Sequence, residues 1–222
     1  MSSTNFNFTD TTEPTIESLS EDSDSVAEWR EGHVGVTLSA KVIDYVSTYG
    51  SQRNKSNGGT HVRRDSESSD EGIQVHGVKG EAALHIAYDE FQFDDEIYDD
   101  SGDGGIDGKM YLDGEMRTVD VKTTRNNPPW IKIEAGAIEK KSEDERADAY
   151  VAAYAEGDTV LFYGWLPSED VIQQSNKRTS YAGDHKNYVR EGGFNPMPSL
   201  TVRCNQESER FSLLSAASEQ ED

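Results

Sequence analysis

Asp113-Gly114 is the strongest structural instruction in this chain, because it tells two flanking segments to fold back on each other after only two residues. Both central positions of a type I′ turn need positive φ, which this residue pair tolerates. The surrounding segment reads Gly105-Ile-Asp-Gly-Lys-Met-Tyr-Leu-Asp-Gly-Glu-Met-Arg-Thr-Val-Asp-Val-Lys-Thr-Thr124. With Leu112 opposite Glu115, an antiparallel register carries back to Asp107 opposite Asp120. Directly opposed side chains lie about 5 Å apart, and like charges there repel. A cation between the two carboxylates relieves that repulsion. Lys122 follows Asp120 by two residues and so shares its face. Ile106, Met110, Leu112, Val119 and Val121 are expected on the other face, as core, so burial pins the register.

Composition bears on what surrounds this hairpin. The chain has 222 residues, enough for one domain with a core and tails. Acids outnumber bases 43 to 21, the net charge is −22, and 33% of residues are hydrophobic. Such values point toward disorder, yet the middle of the chain alternates cleanly and carries most of the aromatics. The expectation is a folded protein with a dense acidic surface from a halophilic source, since molar salt shortens the screening length to about 3 Å. Cys204 is the single cysteine, which leaves no internal disulfide and no cysteine-based zinc cluster. No signal segment opens the chain and no apolar run reaches membrane-spanning length. A soluble, cytoplasmic protein without membrane contact is expected.

Three regions follow from the patterning. Residues 1–32 form an acidic, disordered arm with a short helix near Val26–Trp29; residues 33–204 form the domain; residues 205–222 form a polar tail. Within the domain, Val36, Leu38, Val42, Ile43 and Val46 suit an amphipathic helix over Val34–Tyr49. Ser51 to Arg64 contains Arg53, Lys55, Arg63 and Arg64 and no acid, an island that fits a DNA-backbone clamp. Residues 65–72 and 89–103 read as acidic loops, with a short helix over Gly80–Phe91 between them. Strands are expected at Trp130–Glu134, Ala149–Ala155, Thr159–Trp165 and near Tyr188–Arg190, with a short helix after Pro167 and polar loop elsewhere in 176–198. The sum is a mixed α/β domain.

Asp107 and Asp120 offer hard oxygen ligands for Mg²⁺ (or Mn²⁺), which takes few protein ligands and keeps several waters. The Val121 carbonyl is a further candidate ligand. Gly104-Gly105 clears space beside Asp107, and Glu81, opening a helix after Gly80, is placed to complete the site. Lys122 is suited to orient water or offset charge during phosphoryl transfer. His85, one turn beyond Glu81, fits packing better than ligation. Asp148 and Tyr150 also read as structural residues.

Gly80-Glu81 at a helix start, Gly-Gly-Ile-Asp107 and Asp120-Val-Lys122-Thr-Thr together resemble the PD-(D/E)XK nuclease superfamily, most closely its small members in tailed viruses and proviruses. Ala147-Asp-Ala-Tyr-Val151 and Leu161-Phe-Tyr-Gly-Trp165 are similar to their closing strand pair. The likeness covers about residues 74–172. It implies a restriction-endonuclease-like core, a central mixed β-sheet flanked by helices, with a divalent-metal site. Asp107 and Asp120 would bind metal, Lys122 would be the catalytic lysine and Glu81 the helix carboxylate. Ile106 stands where proline is common, and the exonuclease branch's Gln-x-x-x-Tyr signature is missing. The expectation is a Mg²⁺-dependent DNA endonuclease. Its rivals are a non-catalytic DNA-binding module on the same fold, in a viral replication or packaging complex, and an interaction protein whose acidic arm recruits partners. A homodimer is compatible with each.

Overall fold

A computed structural model describes residues 24–56, 70–93, 105–180 and 185–200 of the chain. The acidic arm up to residue 23, Arg63, Arg64, Gly104, Cys204 and the polar tail all lie outside the described residues, as do residues 94–103 of the second acidic loop and the side chain of Lys55. The order is β1 (Val26–Arg30), β2 (His33–Thr37), α1 (Ala40–Ser56), α2 (Asp70–Ala87), β3 (Gln92–Phe93), β4 (Gly108–Leu112), β5 (Glu115–Thr124), β6 (Trp130–Glu134), α3 (Ala135–Ile138), β7 (Ala149–Glu156), β8 (Thr159–Pro167), α4 (Ser168–Val171), β9 (Lys177–Thr179) and β10 (Lys186–Glu191). A seven-stranded sheet in the order β1-β2-β8-β7-β5-β4-β3 forms the centre, and β6-β10-β9 form a second, smaller sheet. The class is therefore α/β. The central sheet is mixed, because β5 and β7 run parallel while its other pairs are antiparallel. Among the described residues, no helix is long and apolar enough to cross a membrane.

Two apolar clusters divide the molecule into layers. One lies between α1, α2 and a face of the central sheet, and includes Val42, Val46, Val78, Leu84, Val119, Val121, Val151 and Phe162. The other lies between the opposite face and the small sheet, and includes Ile131, Ile133, Tyr150, Ala152, Leu166 and Tyr188. Successive side chains of β5 and β7 feed alternate layers, as strand geometry requires. Asp120 and Lys122 consequently leave β5 on the side away from its buried Val119 and Val121.

The turn at Asp113-Gly114 has φ of 52° and 81° at its two central residues, the signs a type I′ hairpin needs. Its register runs from Leu112 opposite Glu115 to Gly108 opposite Val119. One expectation changes at the far end. The Asp107 amide donates to the Val119 carbonyl at 2.8 Å, a bond offset by one residue from that register. The offset interrupts alternation, so Ile106 packs against the second cluster instead of joining Met110 and Leu112 in the first.

The segment before α1 also differs from expectation. Val26–Arg30 and His33–Thr37 pair as a hairpin rather than forming helix, because Val34, Val36 and Leu38 alternate with period two before the helical spacing begins. Helix α1 starts after Ser39, whose Oγ accepts from the Val42 amide at 3.2 Å in the manner of an N-cap. Its Val42, Tyr45, Val46 and Tyr49 then form the buried stripe. Residues 51–56 continue this helix rather than forming a loop, and α2 begins ten residues before the expected Gly80. The two helices cross closely at Gly50, where a Cβ would lie 2.7 Å from Val75 Cα. Strand β9 arises in a stretch expected to be loop, and its pairing with β10 supplies the backbone bonds its polar side chains do not announce.

Candidate active site

Glu81, Asp107 and Asp120 are all buried, at 4%, 7% and 6% exposure. Helix α2 supplies Glu81, the segment entering β4 supplies Asp107, and the middle of β5 supplies Asp120 and Lys122. Close approach of α2 to β5 makes this convergence possible. At Gly80 a Cβ would fall 2.0 Å from Thr123 Oγ1, so only glycine lets the helix lie this near the strand. That contact sets the residue after it, Glu81, at the margin of the sheet.

Asp107 is fixed by the hairpin's end. Val121 presents its backbone toward β4 just where β4 has stopped, and Asp107 Oδ2 accepts from the Val121 amide at 2.7 Å. A backbone donor that the ladder would leave unpaired is thereby satisfied. The neighbouring Val121 carbonyl faces the same gap by strand geometry.

Burial raises the Asp107 pKa well above the ordinary aspartate value, and the charges of Glu81 and then Asp120 push it further up. Lys122 and the Val121 amide pull the other way and do not prevail. Asp120 Oδ2 is ion-paired to Lys122 Nζ at 2.6 Å. For Lys122, burial works to lower the pKa, but Asp120 and Asp107 outweigh it and hold the ammonium above its usual value. Lys122 therefore carries its charge at neutral pH. Its side chain keeps 30% exposure, enough to meet a ligand from the solvent side.

Arg53 occupies a place that charge counting alone did not foresee. Its Nη1 donates to both Glu81 oxygens, at 3.0 and 2.8 Å, with only 15% of its side chain exposed. The guanidinium also lies over the Tyr49 ring at 5.8 Å. Expected on a surface clamp, Arg53 is instead committed to a buried carboxylate, because continuation of α1 through residue 56 carries it inward.

Two residues complete the surroundings. Tyr150 stands beside Asp120 in the parallel β5–β7 pairing; burial raises its pKa, and the Asp120 charge adds to the shift. Lys141, in the crossover between β5 and β7, approaches from the open side. A Cβ on Gly105, whose φ is +73°, would lie 3.5 Å from Asp120 Oδ2 and 3.6 Å from Lys141 Nζ. Neither was selected from sequence: the parallel pairing and the crossover are tertiary facts. His85 instead ties down the end of α2, its Nδ1 3.2 Å from the Phe91 carbonyl. Asp148 Oδ2 accepts from Thr118 N and Oγ1, both at 2.8 Å, the structural role expected of it.

The donor set has the chemistry of a hard divalent ion's site, with limits. Among the described residues, no three His, Cys, Asp or Glu side chains form a group that could hold a metal ion. Arg53 engages both oxygens of Glu81, which leaves Asp107 and Asp120 as the carboxylates to meet a cation. One or two carboxylates with retained waters is the usual Mg²⁺ arrangement, so the residues fit that ion without a protein cage. The chain matches no protein-family model, no curated protein and no solved structure.

Proposed function

We propose that the chain is a metal-dependent DNA endonuclease, built on a restriction-endonuclease-like core and hydrolysing phosphodiester bonds with water as nucleophile. The observation that carries this reading is the burial of three carboxylates close together. Glu81, Asp107 and Asp120 are all buried, with Arg53 paired to Glu81, Lys122 paired to Asp120 and Lys141 nearby. Burial first, then the charges of Glu81 and Asp120, raise the Asp107 pKa despite the neighbouring Lys122. A proton relieves this crowding at low pH, and Mg²⁺ or Mn²⁺ would relieve it at neutral pH.

Asp107 and Asp120 would hold the ion, with the Val121 carbonyl available beside them. The chemistry that such an ion supplies is polarisation of a phosphoryl oxygen and acidification of water. Lys122 places an ammonium where negative charge grows during transfer. Arg53 orients Glu81 through both of its oxygens, so Glu81 acts as a positioning carboxylate. Halophilic origin fits the same picture, since a chain of charge −22 must bind an anionic substrate through local contacts.

Supercoiled plasmid incubated in molar KCl tests the proposal. Nicked or linear product should form with Mg²⁺ or Mn²⁺ and not with EDTA. Intact plasmid under all three conditions would refute the enzyme reading. One specific observation favours a second reading, a DNA-binding or interaction module: Arg53–Glu81 and Lys122–Asp120 already form ordinary ion pairs. That module would retain DNA, or a protein partner, without cleaving DNA.

A further inference from the structure

Beyond the carboxylate site, the described residues bring two cations, Lys79 and Arg125, together with the neutral ring of His76. His76 and Lys79 on α2 and Arg125, just past the end of β5, line an open concavity of about 350 Å³ together with Tyr154, Ala155, Glu156 and Gly157 of β7 and its turn. Acids outnumber bases two to one in this chain, so a concavity lined by two cations and one acid runs against its composition. The acids nearby are partly committed. Glu156 Oε2 accepts from the Tyr154 hydroxyl at 2.7 Å, and Asp158 acts on Lys79 from the turn. Lys79 Nζ donates to the Gly157 carbonyl at 2.6 Å, which uses one of its three donors. Arg125 is exposed and can swing its planar fork onto an anion.

Position gives the cavity a use. Arg125 follows the end of β5, three residues or about 10 Å beyond Lys122. His76 and Lys79 lie on the α2 side of the sheet and Lys122 leaves it on the other side, so a strand that meets both rounds the end of β5.

We infer that the cavity lined by His76, Lys79 and Arg125 is a phosphate-binding subsite, holding a backbone phosphate of the same DNA strand that meets Lys122. The inference rests on the nuclease reading for its ligand, but the subsite's existence is separable from cleavage. Supporting electrostatics come from His76. Burial lowers its pKa, Arg125 and Lys79 lower it further, and its contact with the Thr124 backbone opposes them. An anion placed between these groups would reverse the balance and raise the His76 pKa. The titratable and charged groups sharing the concavity with that ring are Lys79 on its own helix, Arg125 after β5, and Tyr154 and Glu156 from β7.

Histidine NMR titration of the full chain is the test, with inorganic phosphate and, separately, a short 5′-phosphorylated single-stranded oligonucleotide in EDTA. Both probes should shift the His76 ring signals and raise its midpoint, and Arg125→Gln should weaken both responses about tenfold while leaving the signals of the free protein's other histidines unchanged. A His76 ring indifferent to both probes overturns the subsite. Response to inorganic phosphate but not to the oligonucleotide overturns the assignment to DNA and leaves a free-anion site. Plasmid cleavage with a silent His76 defeats the subsite while sparing the nuclease reading; a responsive His76 in a protein that never cleaves does the reverse.

Discussion

At Asp107, burial and the charges of Glu81 and Asp120 keep a proton bound at pH values where an exposed aspartate has lost it. An unfolded aspartate titrates near 3.9, roughly. Between that value and the raised folded one, the native state binds more protons than the unfolded chain, so stability falls as pH rises through the window. Asp107→Asn abolishes the penalty while its amide oxygen can still accept from Val121. Its Tm at neutral pH should rise by about 2–4 °C for each ~1 kcal/mol relieved, and scanning calorimetry across pH should show a flatter acid limb than wild type. Binding of the proposed metal would be linked to the same proton. Calorimetric Mg²⁺ titrations in buffers of different ionisation enthalpy should reveal proton release on binding, with weaker binding as pH falls. Part of this residue-scale picture was legible in the sequence: Asp120 and Lys122 share a face of β5, whereas Asp107 reaches them not from the expected place opposite Asp120 but through the offset after Gly108, where its carboxylate accepts from the Val121 amide. Arg53 was not, since its partner Glu81 is 28 residues away and joined to it only by helix packing.

Helix α2 against β5 is the contact that assembles the site, and Gly80 is its point of closest approach. Gly80→Ala should force the helix outward at a cost of about 1–3 kcal/mol, measured by denaturant unfolding, and should lower activity more than any helix-propensity effect would suggest. Adding Thr123→Ala removes the 2.0 Å contact and should restore part of the loss. Arg53→Met should be harsher, about 3–5 kcal/mol, because it leaves the Glu81 carboxylate buried without its partner. Elements differed in how plainly they were written. The β4–β5 hairpin and β6 follow from Asp113-Gly114 and from clean alternation. The β2–α1 boundary was obscured because Val34, Val36, Leu38 and Val42 satisfy parts of both periodicities. The early start of α2 was obscured by residues 65–72, whose acidic composition suits a loop and a solvated helix turn equally.

Across the whole molecule, a charge of −22 on 222 residues makes compactness depend on screening. Thermal unfolding should shift upward as KCl rises from millimolar to molar; a Tm independent of KCl would remove the halophilic explanation. The layers themselves could be anticipated only as α/β, since the sequence does not announce that β5 and β7 run side by side or that β6, β9 and β10 form a separate sheet. That arrangement brings Tyr150 beside Asp120 and Lys141 near it. In the proposed function the carboxylates and Lys122 act together in phosphodiester hydrolysis. The decisive comparison is plasmid cleavage by wild type, Asp120→Ala and Lys122→Met in molar KCl with Mg²⁺. Both variants should remain folded by circular dichroism and lose at least about a hundredfold in rate, as removal of transition-state stabilisation at a reacting centre does. Folded Asp120→Ala protein that cuts as fast as wild type would contradict the account.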